Sequence, residues 1–294
     1  MQPLINTAAG PLHWKDYGGS GETIVLVHGL GGSIANWEAI GPKLARFARV
    51  TALDLPGFGL SPPGPDWSLQ TQAHAVEAFI EEVSGTAILL GNSLGGLLSE
   101  MIAAASPEIV DRLILVSPAT PPRLGDPRIH WPTARRLLVQ ATPGVGVSVS
   151  RYLLNRNTSE EMVKLTLASV AHKPSRIPVD MIESFVTLAE IRRQIPWAIH
   201  AVPSTATSIA KLFRRPRDFV EIIREITAPT LVIHGLEDRI VSPTSVEWLC
   251  SLRPDWDLIQ LEDTGHTPQL DAPVRLVENI SGWLEPALRT EITA

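Results

Sequence analysis

The sequence predicts an α/β protein: a doubly wound, mostly parallel central sheet with helices on both faces and a helical cap inserted into it. Three observations predict this. Short, uniformly apolar runs recur along the chain, helical patterns stand between them, and the alternation breaks once, over residues 120–228, before resuming. Strands buried on both faces read as continuous Val/Ile/Leu runs, and their alternation with helices calls for parallel pairing through right-handed crossovers.

The predicted strands, in order, are Thr23–Val27, Val50–Leu53, Ala87–Leu90, Leu113–Val116, Thr230–Ile233 and Leu258–Leu261. Leu69–Val83 places apolar residues at 69, 73, 76, 79, 80 and 83, one face of a helix. Leu94–Ala105 is almost wholly apolar and reads as a buried central helix. Ser106-Pro107 ends it, since the residue before proline leaves the helical region. After Pro118 no buried strand pattern recurs until TAPTLVIHG. Proline-rich pieces there (TPPRLGDPR, HKPSRIP) separate helical patterns such as Ser159–Val170 and Val179–Gln194. The expected division is a core of residues 1–119 and 229–294 with a cap at 120–228. The basic piece FRRPRDF at 213–219 reads as a solvated helix end rather than an anion grip.

Composition narrows the function classes. The 294 residues are 44% hydrophobic and 19% charged, a globular balance that excludes a disordered tail, a collagen-like fibre and a coiled coil. The single cysteine, Cys250, excludes an intrachain disulfide and a cysteine-rich zinc site, and the scattered histidines offer no paired metal ligands on one helix face. A formal charge of −6 gives no electrostatic reason to seek nucleic acid. The start lacks a signal-like basic and apolar pattern, and no apolar run reaches membrane-spanning length. The expected setting is cytoplasmic and soluble, while a mean hydropathy of +0.11 leaves peripheral membrane contact open.

The most specific chemical signal is GNSLGG at Gly91–Gly96, between a buried strand and a buried helix. G-x-S-x-G in that setting is a nucleophile elbow: the glycines keep side chains out of a crowded junction and present the Ser93 hydroxyl above the sheet. The following helix aims its N-terminal N–H groups at the same place, which suits an oxyanion. Serine is a weak nucleophile and needs a base, usually a histidine oriented by a carboxylate. His266, after a strand and a glycine, is the expected base. His234 lies inside a buried strand and reads as a hydrogen-bonded core residue. His28 belongs to an H-G turn and reads as structural, and His13, His74, His130, His172 and His200 lack a supporting context. Glu237, Asp238, Asp257 and Asp263 all stand as candidate acids.

Five motifs in order carry a resemblance: His28-Gly29-Leu30-Gly31-Gly32, the loop with Asp54, Gly57, Gly59 and Ser61, the elbow, Gly235 with Asp238, and Gly265 with His266. The chain resembles the α/β-hydrolase superfamily everywhere except the cap. That resemblance implies the chain order Ser, acid, His. It selects Asp238 as the acid, with Glu237 its nearest rival, and gives Asp54, Gly57 and Gly59 a loop-building role. It further implies an oxyanion hole from the backbone N–H groups of Leu30 and Leu94, acyl transfer through a serine ester, and no metal or organic cofactor.

The serine nucleophile separates the chain from the dehalogenases and epoxide hydrolases of this fold, which use a carboxylate. Meta-cleavage product hydrolases are similar in elbow and cap, but usually carry tryptophan where Thr267 stands. Leu97 replaces an arginine of menaquinone-pathway members, and the Trp-Gly elbow of prolyl aminopeptidases is missing. The expected substrate is a small-to-medium apolar ester under a cap rich in Leu, Ile, Val and Pro, with Trp131 and Trp197 as substrate-contact candidates. The alternatives are carbon–carbon bond hydrolysis and a perhydrolase or acyltransferase on the same residues.

Overall fold

The computed structural model describes residues 4–123 and 125–292. An N-terminal hairpin of β1 (Leu4–Thr7) and β2 (Gly10–Gly18) opens the chain, followed by β3 (Thr23–Val27), the short α1 (Gly41–Leu44) and β4 (Arg49–Leu53). Then come α2 (Leu69–Val83), β5 (Ala87–Asn92), α3 (Leu94–Ala105) and β6 (Val110–Val116). The sheet order is β1-β2-β4-β3-β5-β6 and then β7 (Thr230–Gly235) and β8 (Asp257–Leu261). Pairing is antiparallel at β1/β2 and β2/β4 and parallel from β4 to β8.

All six predicted strands form, and α2 and α3 take the predicted bounds. The hairpin is additional. Its two strands mix polar and apolar residues and lie at one margin of the sheet, so no buried run marks them. At the other margin β8 is only partly buried, because a strand with one neighbour leaves a side open.

Period-two alternation sends side chains to two cores. Val25, Val27, Leu89, Leu113 and Leu115 join Phe79, Leu97, Leu98 and Ile102 of α2 and α3 on one face. Ile24, Leu26, Ile88, Leu90, Ile114 and Ile233 join Trp37, Ile40 and Leu44 on the other, where Leu276 and Ile280 of the C-terminal helix also pack. Helix α3 buries nine of its twelve residues, so its position above β5 is fixed by packing from several sides.

Between β6 and β7 run α4 (Trp131–Gln140), α5 (Val145–Arg156), α6 (Ser159–Val170), α7 (Val179–Arg193), α8 (Ala198–Phe213) and α9 (Pro216–Glu225). Thr158 caps α6 through a capping box with Glu161. Val163 and Leu167 of α6 meet Met181 of α7 and Leu270 in a small separate core. Helix α9 instead puts Phe219 and Ile223 into the main core, with Phe219 stacked on Trp248. The chain closes with α10 (Pro243–Ser251), α11 (Pro268–Asp271) and α12 (Pro273–Ile292). Among the described residues, no helix is long and apolar enough to cross a membrane.

Candidate active site

Strand β3 has β4 on one side and β5 on the other. The loops after β3 and β5 therefore part at the C-terminal edge, the place where open α/β sheets leave a crevice. The loop after β5 carries Ser93 at φ 55° and ψ −114°, left-handed backbone that a serine rarely adopts. Local contacts impose it. A Cβ on Gly95 would stand 1.9 Å from the Val27 carbonyl oxygen, and one on Gly91 would stand 2.4 Å from Gly95. Only glycines let the helix start this close to β3. The Ser93 N–H donates to the Val116 carbonyl at 3.1 Å, and the Ser93 carbonyl accepts from the Leu97 and Ala119 N–H groups at 3.0 Å each.

The loop after β3 abuts the elbow: a Cβ on Gly29 would lie 3.2 Å from the Ser93 Cβ. His28 holds this loop from beneath. Its Nε2 accepts from the Leu55 N–H at 3.0 Å and its Nδ1 lies 2.8 Å from the Gly29 carbonyl. An imidazole that accepts at one nitrogen and donates at the other is neutral, and burial accordingly pushes the His28 pKa down. Leu30 lines the cavity above, and the Leu94 N–H is the first of α3, one of the groups without a partner inside a helix.

His266 follows β8. Its Nδ1 lies 2.7 Å from Asp238 Oδ2, with both side chains almost wholly buried. Asp238 Oδ1 accepts from the Ile240 and Val241 N–H groups at 2.7 and 3.0 Å. Burial opposes ionisation of Asp238 most strongly. The charge and hydrogen bond of His266, the nearby His234 and the Ile240 N–H outweigh it and hold the carboxyl below its usual range. His234 is fully buried with Nε2 3.7 Å from the same Asp238 oxygen, and burial pushes its pKa down against the pull of Asp238 and of the Val241 backbone.

The other candidates do different work. Glu237 accepts from the Thr264 N–H at 2.8 Å, Asp257 from the Trp283 indole at 2.7 Å, and Asp263 pairs with Lys173 and Arg176. Asp54 takes the N–H groups of Ile34 and Leu60 and lies 2.5 Å from His13 Nδ1, a buried partner 41 positions along the chain that no local pattern around His13 marks. Gly59, at φ 50°, curls so tightly around Asp54 that a Cβ would meet its carboxyl at 1.9 Å.

A second set of residues escaped sequence reasoning. Asn92 donates to the Val116 and His266 carbonyls at 2.9 and 3.2 Å, and its own oxygen accepts from Gln269 at 3.0 Å. Asp271 accepts from the N–H groups of Gly265, His172 and Lys173 at 2.7, 2.6 and 3.1 Å. The His266 N–H donates to the Val170 carbonyl at the end of α6. These bonds tie the His266 loop to the elbow and to the inserted helices.

Ser93 and His266 line one cavity of about 570 Å³, walled above by side chains of α5, α6 and α7. Met162, Val163, Leu167, Phe185 and Ile199 make it largely apolar. Arg192 also reaches it while donating to the Gly57 and Gly59 carbonyls at 2.9 and 2.7 Å. Neither Trp131 nor Trp197 is in the wall. Trp131 is 66% exposed on the outside of α4, and Trp197 precedes α8 between two residues that do line the cavity. Composition placed apolar bulk in the cap but could not say which way each ring turns. Among the described residues, no three His, Cys, Asp or Glu side chains are grouped so as to hold a metal ion.

Residues 22–273 match the family described as alpha/beta hydrolase fold. A 2-hydroxy-6-oxononadienedioate/2-hydroxy-6-oxononatrienedioate hydrolase of Cupriavidus pinatubonensis is 27% identical over 237 residues, 78% of this chain and 75% of that protein. A pimeloyl-[acyl-carrier protein] methyl ester esterase of Aeromonas hydrophila is 29% identical over 272 residues, covering 90% of this chain and 96% of that one. The solved structure of a thermophilic esterase from Thermogutta terrifontis superposes with a TM-score of 0.71 at 23% identity, over 97% of this chain and 98% of that one. With the strand order, the elbow and a match over most of its length, the chain belongs to the α/β-hydrolase fold family.

Proposed function

We propose that the protein is a cofactor-free serine hydrolase that cleaves an ester bond of a small-to-medium, largely apolar substrate. One observation carries the reading: Ser93, on a strained elbow, faces the same cavity as His266, whose Nδ1 is hydrogen-bonded to buried Asp238. With Nδ1 committed to Asp238, Nε2 is the basic nitrogen. It takes the Ser93 proton as Oγ attacks the acyl carbon, and Asp238 stabilises the imidazolium. The oxyanion lies between the N–H groups of Leu30 and Leu94, where losing one donor typically costs about 10²–10³ in turnover. The imidazolium protonates the leaving alcohol. Water, deprotonated by the same nitrogen, then releases the acid and restores the Ser93 hydroxyl.

In this reading residues 120–228 form a cap over a core of 1–119 and 229–294, with α9 reaching back onto the core. A cytoplasmic setting belongs to the same proposal. The Aeromonas relative's ester chemistry supports it. The Cupriavidus relative, a hydrolase of 2-hydroxy-6-oxo dienedioates, together with the resemblance to meta-cleavage product hydrolases, makes carbon–carbon cleavage the second reading, but Thr267 lines the cavity where those hydrolases usually carry tryptophan. A fluorophosphonate probe and p-nitrophenyl butyrate test the proposal. Ser93 is expected to be labelled, and Ser93→Ala to abolish both labelling and turnover with the thermal midpoint nearly unchanged. An unlabelled Ser93 in folded protein, or turnover retained in Ser93→Ala, would overturn it.

A further inference from the structure

We propose that the outer face of α4 and α5 docks the protein on an anionic lipid surface. Helix α4 is turned inside out. It has no buried residue; Trp131, Arg135 and Leu138 share one exposed stripe at i, i+4, i+7, and Arg136 and Val139 lie beside it. The inward positions hold Thr133, Ala134, Leu137 and Gln140. Helix α5, packed beside α4, also exposes Val145 and Tyr152, with the Arg156 guanidinium over the Tyr152 ring at 5.4 Å. Among the described residues, nine of the twelve large apolar side chains that stand exposed lie between Trp131 and Trp197, and five of those nine are on these two helices. Patches of this kind on a folded protein mark an interaction surface.

Charge selects the occupant. Between Asp126 and Glu160 the chain has five arginines and no acidic residue, although the whole molecule carries −6. Of these, Arg128 pairs with Glu247 and Arg151 lines the cavity, whereas Arg135 and Arg136, exposed on α4, are in no ion pair among the described residues. Cations interleaved with Trp, Tyr, Leu and Val on one helical face match the boundary between lipid headgroups and acyl chains. There the rings and aliphatic groups enter the apolar layer and the guanidinium groups meet phosphates. An acidic protein would satisfy the arginines but leave the Trp131–Leu138 stripe in need of a matching apolar groove. A second copy would set arginine against arginine across a two-fold axis. Helix α5 joins the two regions: its Arg151, Leu154 and Asn155 line the cavity while Tyr152 and Arg156 do not.

Co-sedimentation of the whole protein with vesicles tests the proposal without any turnover, so its failure is distinct from failure of the hydrolase reading. Binding is expected to phosphatidylcholine vesicles carrying about a quarter phosphatidylglycerol, roughly tenfold weaker to phosphatidylcholine alone, and weakened by salt. Leu138→Ser/Val139→Ser and Arg135→Glu/Arg136→Glu should each weaken binding by about tenfold or more, with thermal midpoint and p-nitrophenyl butyrate turnover unchanged. No binding to the anionic vesicles, or binding by both variants as tight as that of the unaltered protein, would overturn the proposal. So would a dimer in sedimentation velocity that Leu138→Ser/Val139→Ser splits, since that would make the face a contact between copies.

Discussion

Asp238 divides its two oxygens between two tasks. Oδ1 is held by the Ile240 and Val241 N–H groups, which fix the carboxylate plane, and Oδ2 is left for His266. Glu237, one residue away, instead secures Thr264 in the turn before Gly265 and His266. The two acids therefore separate by experiment. Asp238→Asn is expected to lower kcat on the order of 10⁴-fold, because the amide favours the wrong imidazole tautomer. Glu237→Gln keeps a weaker acceptor for Thr264 and should cost roughly 0.5–1.5 kcal/mol of stability with turnover within a few-fold. Steady-state kinetics and urea denaturation of both variants check the ranking, and the opposite order would make Glu237 the acid. Asp238 also sets an acid limit. Its folded pKa lies below the unfolded one, so its contribution to stability is present above the unfolded pKa and is lost as pH falls through the folded value.

At the scale of elements, the elbow and α3 are one unit seated on β3. Gly95→Ala would drive a Cβ into the Val27 carbonyl, backbone that cannot turn aside, so α3 must lift from the sheet. The expected cost is about 1–3 kcal/mol or more, with loss of Ser93 labelling. Gly282→Ala in α12 meets nothing within 4 Å and should add roughly 0.5–1 kcal/mol. Thermal denaturation of the pair distinguishes close approach from helix propensity. The same contrast explains what the sequence made legible. Strands β3–β7 and α3 announce themselves because burial on all sides demands uniform apolar runs, and α2 because its one buried face repeats at helical spacing. The β1–β2 hairpin does not, and α8 is masked by Pro203, which sits in its interior although proline usually breaks a helix. Local motifs single out Ser93 and His266, and the resemblance alone chooses Asp238 among four candidate acids. The Asn92–Gln269 and Asp271 bonds are not legible, since they join residues brought together only by the fold. The orientation of Trp131 was lost for a related reason. An amphipathic period fixes which residues share a face, not which face turns inward.

For the molecule as a whole, a group that couples stability to pH lies away from the cavity. Glu100 sits within α3, fully buried, with no hydrogen-bond partner at either carboxyl oxygen. Burial pushes its pKa well above the usual 4.5. Its own burial first, and then the nearby Glu100 carboxylate, raise the Cys250 thiol to about 12 and remove it as a rival nucleophile. The linkage sign follows from proton counts. Between the unfolded and folded pKa values of Glu100 the native state holds a proton that the unfolded state has lost, so stability falls as pH rises through this interval. Below the unfolded value both states are protonated and the penalty disappears. Glu100→Met keeps the volume and removes both oxygens. It should raise the unfolding free energy at pH 8 by about 1–3 kcal/mol, with a smaller gain near pH 4.5. Urea denaturation at the two pH values reads the difference directly. A gain that is the same at both would assign the cost to unmade hydrogen bonds, which do not titrate, rather than to a proton taken up on folding.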